Sequence, residues 1–150
     1  MATHIHIEEE DSVALAAKNK AAASHKINIG VLTLPHISNF TDFNALEHHP
    51  DVNLFYITSP SDIDHAQILI LPSSKNTIAD LNHLRKEGFA GKIIEARNSG
   101  KTVMGICGGY QMMGRTIADP YGVEGPTIEV PGLGLLPVNT ILTKEKPPDK

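Results

Sequence analysis

The sequence predicts an α/β fold: a three-layer, open and mostly parallel sheet with flanking helices, flavodoxin-like in architecture and incomplete at the C-terminus. Short aliphatic and β-branched runs alternate along the chain with segments of helical periodicity, which is typical of parallel strands joined by helices. The runs are apolar almost throughout rather than at every second residue, as expected for strands buried on both faces.

The apolar runs predict strands at residues 27–34, 53–58, 66–71 and 102–107. Pro35 and Pro72 end the first and the third of these runs, because proline cannot continue a central strand. Further along the chain, the segment 122–150 is rich in glycine and proline. It carries two more candidate strands, near residues 127–130 and 138–142.

Helices are predicted from capping residues, helical periodicity and glycine breakers. The first predicted helix begins near Thr41 or Asp42 and ends near His49, and the second begins at Asn76 or Thr77 and ends near Gly88. The third runs from Phe89 to Asn98, and the fourth begins just after Gly108 and ends near Asp119. The first 26 residues combine an acidic run with an Ala/Lys-rich stretch that has no strong apolar stripe. We therefore interpret residues 1–26 as a linker and residues 27–150 as a partial domain.

Composition limits the functional classes. With 41% hydrophobic and 20% charged residues, the 150-residue chain has the size and composition of one globular domain. The net charge of -4, without clustered Lys or Arg, argues against a nucleic-acid partner. No apolar run approaches the roughly 20 residues that a membrane helix requires. We therefore expect a cytoplasmic protein with no membrane partner.

The one cysteine of the chain, Cys107, stands where a predicted strand meets a predicted helix, in GICGG (105–109). A turn of the form G-x-nucleophile-x-G is so sharp that side chains at Gly105 and Gly109 would clash with the neighbouring strand and helix. The backbone N–H of Gly108 is expected to point toward the oxyanion that forms on an attacked carbonyl. The sequence therefore predicts a nucleophilic thiol rather than a buried structural cysteine.

GICGGYQ (105–111) resembles the G-x-C-x-G-x-Q signature of class I glutamine amidotransferases. Within that class, segments along nearly the whole chain resemble the cobyric acid synthase (CobQ) family: EEDSVAL (9–15), LPHISNFTDFNAL (34–46), LPSSKNTIADL (71–81), GICGGYQMMGRTIADP (105–120) and PGLGLLPV (131–138). The resemblance implies that Gln111 helps to hold the substrate glutamine and that the loop with Ser73 and Ser74 supplies a second oxyanion donor. The family usually has glycine at the position of Ser73, so strain is expected there if that residue needs a positive φ.

Other polar residues are weaker candidates. Asn39 follows the first predicted strand at its carboxyl end, where open α/β sheets bind ligands, and is a candidate for substrate binding. Helix capping by the same segment is an equal alternative. The histidines lack cysteines or carboxylates at ligand spacing, so no metal site is expected. The loop around Lys75 lacks the glycines of a phosphate-binding loop, which argues against ATP binding in this chain.

The resemblance implies a two-part enzyme. An upstream synthetase domain would use ATP and magnesium, which leaves no cofactor in this chain, and would bind most of the corrinoid substrate. The amidotransferase domain would hydrolyse glutamine through a cysteine thioester. The ammonia would amidate carboxylates of adenosylcobyrinic acid a,c-diamide in cobalamin biosynthesis.

The resemblance implies a catalytic histidine that the 150 residues of this sequence do not contain. The family places this residue near the carboxyl end of the domain, which would lie beyond residue 150, and none of the eight histidines follows Cys107. Loss of one member of a catalytic unit often costs orders of magnitude in rate. The sequence therefore predicts little or no glutaminase activity from this chain alone.

Two alternatives remain open. The first is a related amidotransferase that acts on cobyrinic acid or on a cell-wall precursor, although EEDSVAL and ISNFTDF favour cobyric acid synthase. The second is a catalytically inactive, amidotransferase-like binding module. Ser73 and the missing histidine favour this module, whereas the intact GICGGYQ argues against it.

Overall fold

A four-stranded parallel sheet forms the centre of the computed structural model, which describes residues 26–38 and 43–143. Its strands are β1 (Ile27–Leu32), β2 (Val52–Ile57), β3 (Ile68–Leu71) and β4 (Thr102–Gly105), in the spatial order β2-β1-β3-β4. Each neighbouring pair is parallel. The strands predicted from apolar runs are thus confirmed, with ends that shift by at most two residues. Nearly all of the predicted linker, and the predicted caps Thr41 and Asp42, lie outside the described residues.

Both faces of the sheet are buried, which explains why the strands are apolar almost throughout. Successive residues of a strand point to opposite faces. One face carries Leu32, Phe55 and Leu69, and the other carries Val31, Leu54 and Ile70; all six are buried. The alternating polarity of a half-exposed strand is absent from β1, β2 and β3 because both of their faces are largely packed. In β4, at the edge of the sheet, Met104 is 49% exposed.

Helices cover both faces. They are α1 (Asn44–Glu47), α2 (Thr77–Lys86), α3 (Phe89–Asn98) and α4 (Gly108–Met112), and a 3-10 helix covers Pro60–His65. Residues of α2, α3 and α4 share a core with the first face, whereas Leu46 of α1 packs with the second. Helices therefore lie on either side of the sheet, as the predicted three-layer fold requires.

The helix α2 begins where capping predicted it. The side chain of Asn76 accepts a hydrogen bond from the backbone N–H of Ala79 at 3.1 Å, which satisfies one of the free donors in the first turn. Ile78, Leu81 and Leu84 are buried, in agreement with their helical spacing. The bounds of α3 also agree with the prediction.

The prediction that the helix after Gly108 continues to Asp119 is wrong. The helix α4 ends at Met112, and β5 (Thr116–Ala118) follows. β5 forms a second, three-stranded sheet with β6 (Glu129–Pro131) and β7 (Asn139–Ile141). It pairs with β6 in antiparallel and with β7 in parallel orientation. The chain turns at Gly114, where a Cβ would lie 2.6 Å from the carbonyl oxygen of Val138. Pairing with distant strands overrides the local helical pattern here.

Removing the cap of α2 should destabilise the protein without disturbing its core. We expect Asn76→Ala to lower the free energy of unfolding by about 1 kcal/mol, because the Ala79 N–H loses its side-chain acceptor. Asn76→Ser keeps an acceptor oxygen and should remain close to wild type. Urea denaturation checks both variants. Equal losses in the two would show that the hydrogen bond from Ala79 does not stabilise the helix.

The stability of the fold should also depend on Tyr56 at alkaline pH. Burial, and next the nearby charge of Glu47, raise the pKa of Tyr56 from 10.0 to about 12. The unfolded chain therefore ionises this phenol before the folded chain does. Its contribution to stability should be fully present below pH 10 and be lost as the pH rises toward 12. Urea denaturation across this range should show a steeper loss for wild type than for Tyr56→Phe.

Candidate active site

Cys107 lies in a sharp turn between β4 and α4 and is exposed to solvent. Its backbone has φ 48° and ψ -111°, and it is the one non-glycine residue with positive φ in the part of the chain that the structure describes. Such a conformation is unfavourable for a residue with a Cβ and persists only where the surrounding structure enforces it. The strand-to-helix elbow predicted at Cys107 is present.

Two glycines make this turn sterically possible. A Cβ on Gly105 would lie 2.5 Å from the Cα of Tyr110 in α4. A Cβ on Gly109 would overlap the carbonyl oxygen of Leu71, the last residue of β3. Both clashes are with backbone atoms, which cannot rotate away as a side chain can. The reason given from sequence for these two glycines is thus confirmed.

The loop after β3 lies directly against the start of α4. A Cβ on Gly108 would be 3.2 Å from the backbone nitrogen of Ser74 and 2.8 Å from the Oγ1 of Thr77. Within residues 26–38 and 43–143, neither the N–H of Ser74 nor that of Gly108 donates to a protein acceptor. Two backbone donors that lie beside Cys107 are thus available to a ligand.

Ser73 does not have the backbone strain that was expected from a serine at a position where the family usually has glycine. Its φ is not positive, so the conformation of this loop does not require a glycine there. The loop is held instead by the segment that follows β1. The N–H of Ser38 donates to the carbonyl of Ser73 at 3.0 Å, and the N–H of Lys75 donates to the carbonyl of His36 at 2.8 Å. These two bonds flank an antiparallel bridge between Ile37 and Ser74.

Behind this loop lies a buried carboxylate that sequence reasoning missed. Asp80 in α2 is fully buried and accepts hydrogen bonds from the Oγ of Ser74 at 2.7 Å and from the backbone N–H of His36 at 3.1 Å. Its Oδ1 is also 2.7 Å from the Nδ1 of His36. From sequence, an aspartate in the first turn of a helix indicates only a favourable interaction with the helix dipole. No local signal points to His36, which is 44 residues away.

A second acidic residue, Glu124, also contacts the first turn of α2. The Oε1 of Glu124 accepts a hydrogen bond from the backbone N–H of Ile78 at 2.9 Å. Asp119 holds the segment that carries it, by accepting from the N–H groups of Val123 and Glu124 at 2.7 and 2.8 Å. The first turn of α2 is therefore fixed by the two segments 71–76 and 119–124 together.

The other predicted site residues are placed as follows. Gln111 is half-buried in α4, and its N–H donates to the carbonyl of Cys107 at 3.0 Å. Asn39 lies outside the described residues. In the described part of the chain, no three His, Cys, Asp or Glu side chains are grouped so that they could hold a metal ion. No helix within those ranges is long and apolar enough to cross a membrane.

Comparison with known proteins identifies relatives of the whole chain. A family model described as the CobB/CobQ-like glutamine amidotransferase domain matches residues 28–149. Cobyric acid synthase from Bacteroides fragilis is 54% identical over 142 residues, and that from Phocaeicola vulgatus is 54% identical over 143 residues. Both matches cover 95% of this chain. The chain spans 29% of the length of these curated relatives.

A solved structure supports the fold independently. The crystal structure of a glutamine amidotransferase superposes with a TM-score of 0.58 at 19% sequence identity, and the match covers 75% of this chain and 55% of that one. At this identity the likeness concerns the α/β fold alone. The predicted class of fold is confirmed.

The two kinds of glycine in this fold should respond differently to an added methyl group. Gly109→Ala places a Cβ on the Leu71 carbonyl, so we expect a loss of about 3 kcal/mol in the free energy of unfolding. Gly91→Ala is the matched control, because a Cβ there meets nothing within 4 Å and Gly91 lies in α3. The control should be neutral or gain up to about 1 kcal/mol from helix propensity. Urea denaturation measures both variants. Equal free energies of unfolding for Gly109→Ala and Gly91→Ala would contradict the close contact between Gly109 and the Leu71 carbonyl.

Proposed function

The chain belongs to the CobB/CobQ-like glutamine amidotransferase domain family, and we propose that it carries the glutamine-hydrolysing site of a cobyric acid synthase. The relatives that are 54% identical bear that name. Segments EEDSVAL and ISNFTDF favour this substrate over cobyrinic acid or a cell-wall precursor. The ammonia would serve to amidate carboxylates of adenosylcobyrinic acid a,c-diamide in cobalamin biosynthesis.

One observation carries the proposal: an exposed thiol in an elbow of positive φ stands beside two backbone N–H groups that have no acceptor among the described residues. A thiol nucleophile next to paired backbone donors is the arrangement required for acyl transfer through a tetrahedral intermediate. A structural cysteine would require neither the strained backbone nor the free donors.

The proposed reaction follows from this arrangement. The Sγ of Cys107 attacks the side-chain amide carbon of glutamine, and the carbonyl electrons move onto oxygen. The N–H groups of Gly108 and Ser74 donate to that oxyanion. When the carbonyl re-forms, the C–N bond breaks, ammonia leaves after the nitrogen takes up a proton, and a thioester remains. Water then attacks the thioester, which releases glutamate and restores the thiol.

The proposal assigns the nucleophile and the oxyanion donors to this chain, and it does not assign the proton donor. The family resemblance implies that a histidine located after the nucleophile transfers the proton. No histidine follows Cys107 in this sequence. Gln111 remains the proposed contact to the bound glutamine. ATP and magnesium would act in a synthetase part outside this chain, where the corrinoid would also bind.

A chloroketone analogue of L-glutamine tests the site without a proton donor. The Sγ of Cys107 forms a bond to the chloromethyl carbon and chloride leaves, while the ketone oxygen occupies the oxyanion position. We expect an adduct at Cys107 that forms about 10-fold faster with the L isomer than with the D isomer, and that L-glutamine slows. Mass spectrometry of peptides from the treated chain locates the adduct and gives its rate.

Controls for this labelling separate recognition from plain thiol reactivity. Cys107→Ala should give no adduct, and the urea-unfolded chain should lose the preference for the L isomer. Equal rates for the two isomers, or an adduct elsewhere, would disprove a glutamine site at Cys107. Thermal stabilisation of the chain by L-glutamine, without any adduct, would instead support an inactive binding module.

A further inference from the structure

We propose that Asp80 is a positioning residue that holds the Ser74 backbone N–H in place as an oxyanion donor. The proposal rests on the proposed glutamine site and extends it to a side chain that touches neither substrate nor nucleophile. Asp80 acts through the loop that follows β3. It also ties that loop to the segment that follows β1.

The carboxylate of Asp80 is held on both oxygens. Oδ1 accepts from the His36 N–H at 3.2 Å and lies 2.7 Å from the Nδ1 of His36. Oδ2 accepts from the same N–H at 3.1 Å and from the Ser74 Oγ at 2.7 Å. These donors come from two loops, at residues 36 and 74, whereas Asp80 itself lies in a helix. One rigid group thus fixes two loops at the carboxyl edge of the sheet.

Complete burial makes this arrangement hard to change. A buried carboxylate is costly unless its lone pairs accept hydrogen bonds, and the described residues contain no buried side-chain polar atom without a partner. If the Ser74 hydroxyl moved away, Oδ2 would lose its shortest donor. The position of Ser74 is therefore fixed by its hydrogen bond to Asp80 as well as by the backbone hydrogen bonds of its loop.

The contacts continue from Asp80 to the candidate oxyanion donors. The Ser74 Oγ accepts from the N–H of Asn76 at 3.0 Å, so it acts as donor to Asp80 and acceptor from the loop. Ser74 in turn lies against Gly108, where its nitrogen would be 3.2 Å from an added Cβ. A displacement of about 1 Å in such a donor can lower a rate by about 100-fold.

A purely structural role makes a different prediction. In the first turn of α2, the charge of Asp80 would stabilise the helix through its dipole, and its loss would reduce the free energy of unfolding alone. Positioning predicts in addition a selective loss of reactivity toward reagents whose oxygen must be bound. Comparing two thiol reagents with the same Cys107 separates these roles.

The experiment uses the L-glutamine chloroketone and methyl methanethiosulfonate, a thiol reagent with no carbonyl oxygen. Asp80→Asn keeps the shape but presents an NH₂ group where a donor already points. We expect its chloroketone rate at Cys107 to fall by about 10-fold or more, and its thiosulfonate rate to stay within about twofold of wild type. Ser74→Ala should show the same pattern at smaller amplitude, since it keeps the backbone N–H and loses the hydroxyl that donates to Asp80 and accepts from Asn76.

Asp62→Asn is the matched control. Asp62 is also a buried aspartate that accepts backbone hydrogen bonds, but these come from Thr58 and Ser59, beside the 3-10 helix. Both of its rates should match wild type. If Asp80→Asn does not fold, as judged by circular dichroism, Ser74→Ala carries the test.

The outcomes separate this inference from the proposed function. A wild-type chain that shows no preference for the L chloroketone at Cys107 contradicts the glutamine site itself. A wild-type preference that is retained in full by folded Asp80→Asn and by Ser74→Ala contradicts only the positioning role. Parallel losses with both reagents would show that Asp80 supports the elbow as a whole, which also overturns the positioning role.

Discussion

The candidate site depends on the close approach of α4 to the last residue of β3. The N–H of Ile106 donates to the carbonyl of Leu71 at 2.9 Å, and Gly109 lies against the same carbonyl. These contacts hold the chain on both sides of Cys107, whose backbone conformation costs about 1–3 kcal/mol in a residue with a Cβ. The neighbours of the cysteine therefore stabilise the elbow, and the thiol itself is exposed to solvent.

The parallel sheet explains why segments from three strand ends meet at the candidate site. The carboxyl ends of β1, β3 and β4 meet at one edge, and β3 is the middle strand of the three. Its loop bridges to Ile37 on one side and touches Gly108 on the other. Any movement of the loop after β3 would therefore disturb its contacts with both Ile37 and Gly108. A buried anchor such as Asp80 is most effective at this position, because it fixes the shared element rather than either partner.

Local patterns predicted most of the fold and the elbow, and contacts between distant residues account for what was missed. Continuous apolar runs predicted the central strands, and the cap at Asn76 predicted the start of α2, because each signal lies within a few residues. Candidate strands near 127–130 and 138–142 match β6 and β7, whereas β5 was missed because it is three residues long and its partners are distant in sequence. The contacts of Asp80 were missed for the same reason. Its partner His36 comes from another strand end.

Ser73 and Gly109 show that two positions near Cys107 differ in whether their backbone requires a glycine. Family resemblance suggested that a glycine is usual at Ser73, yet the φ of Ser73 is not positive, so the backbone there accepts a side chain. Gly109 has no such freedom, because the obstacle is the backbone carbonyl of Leu71. The loop after β3 is held by hydrogen bonds, and its backbone at Ser73 does not require a glycine. The elbow is held by backbone contact, so its sequence is limited by the space left for a Cβ.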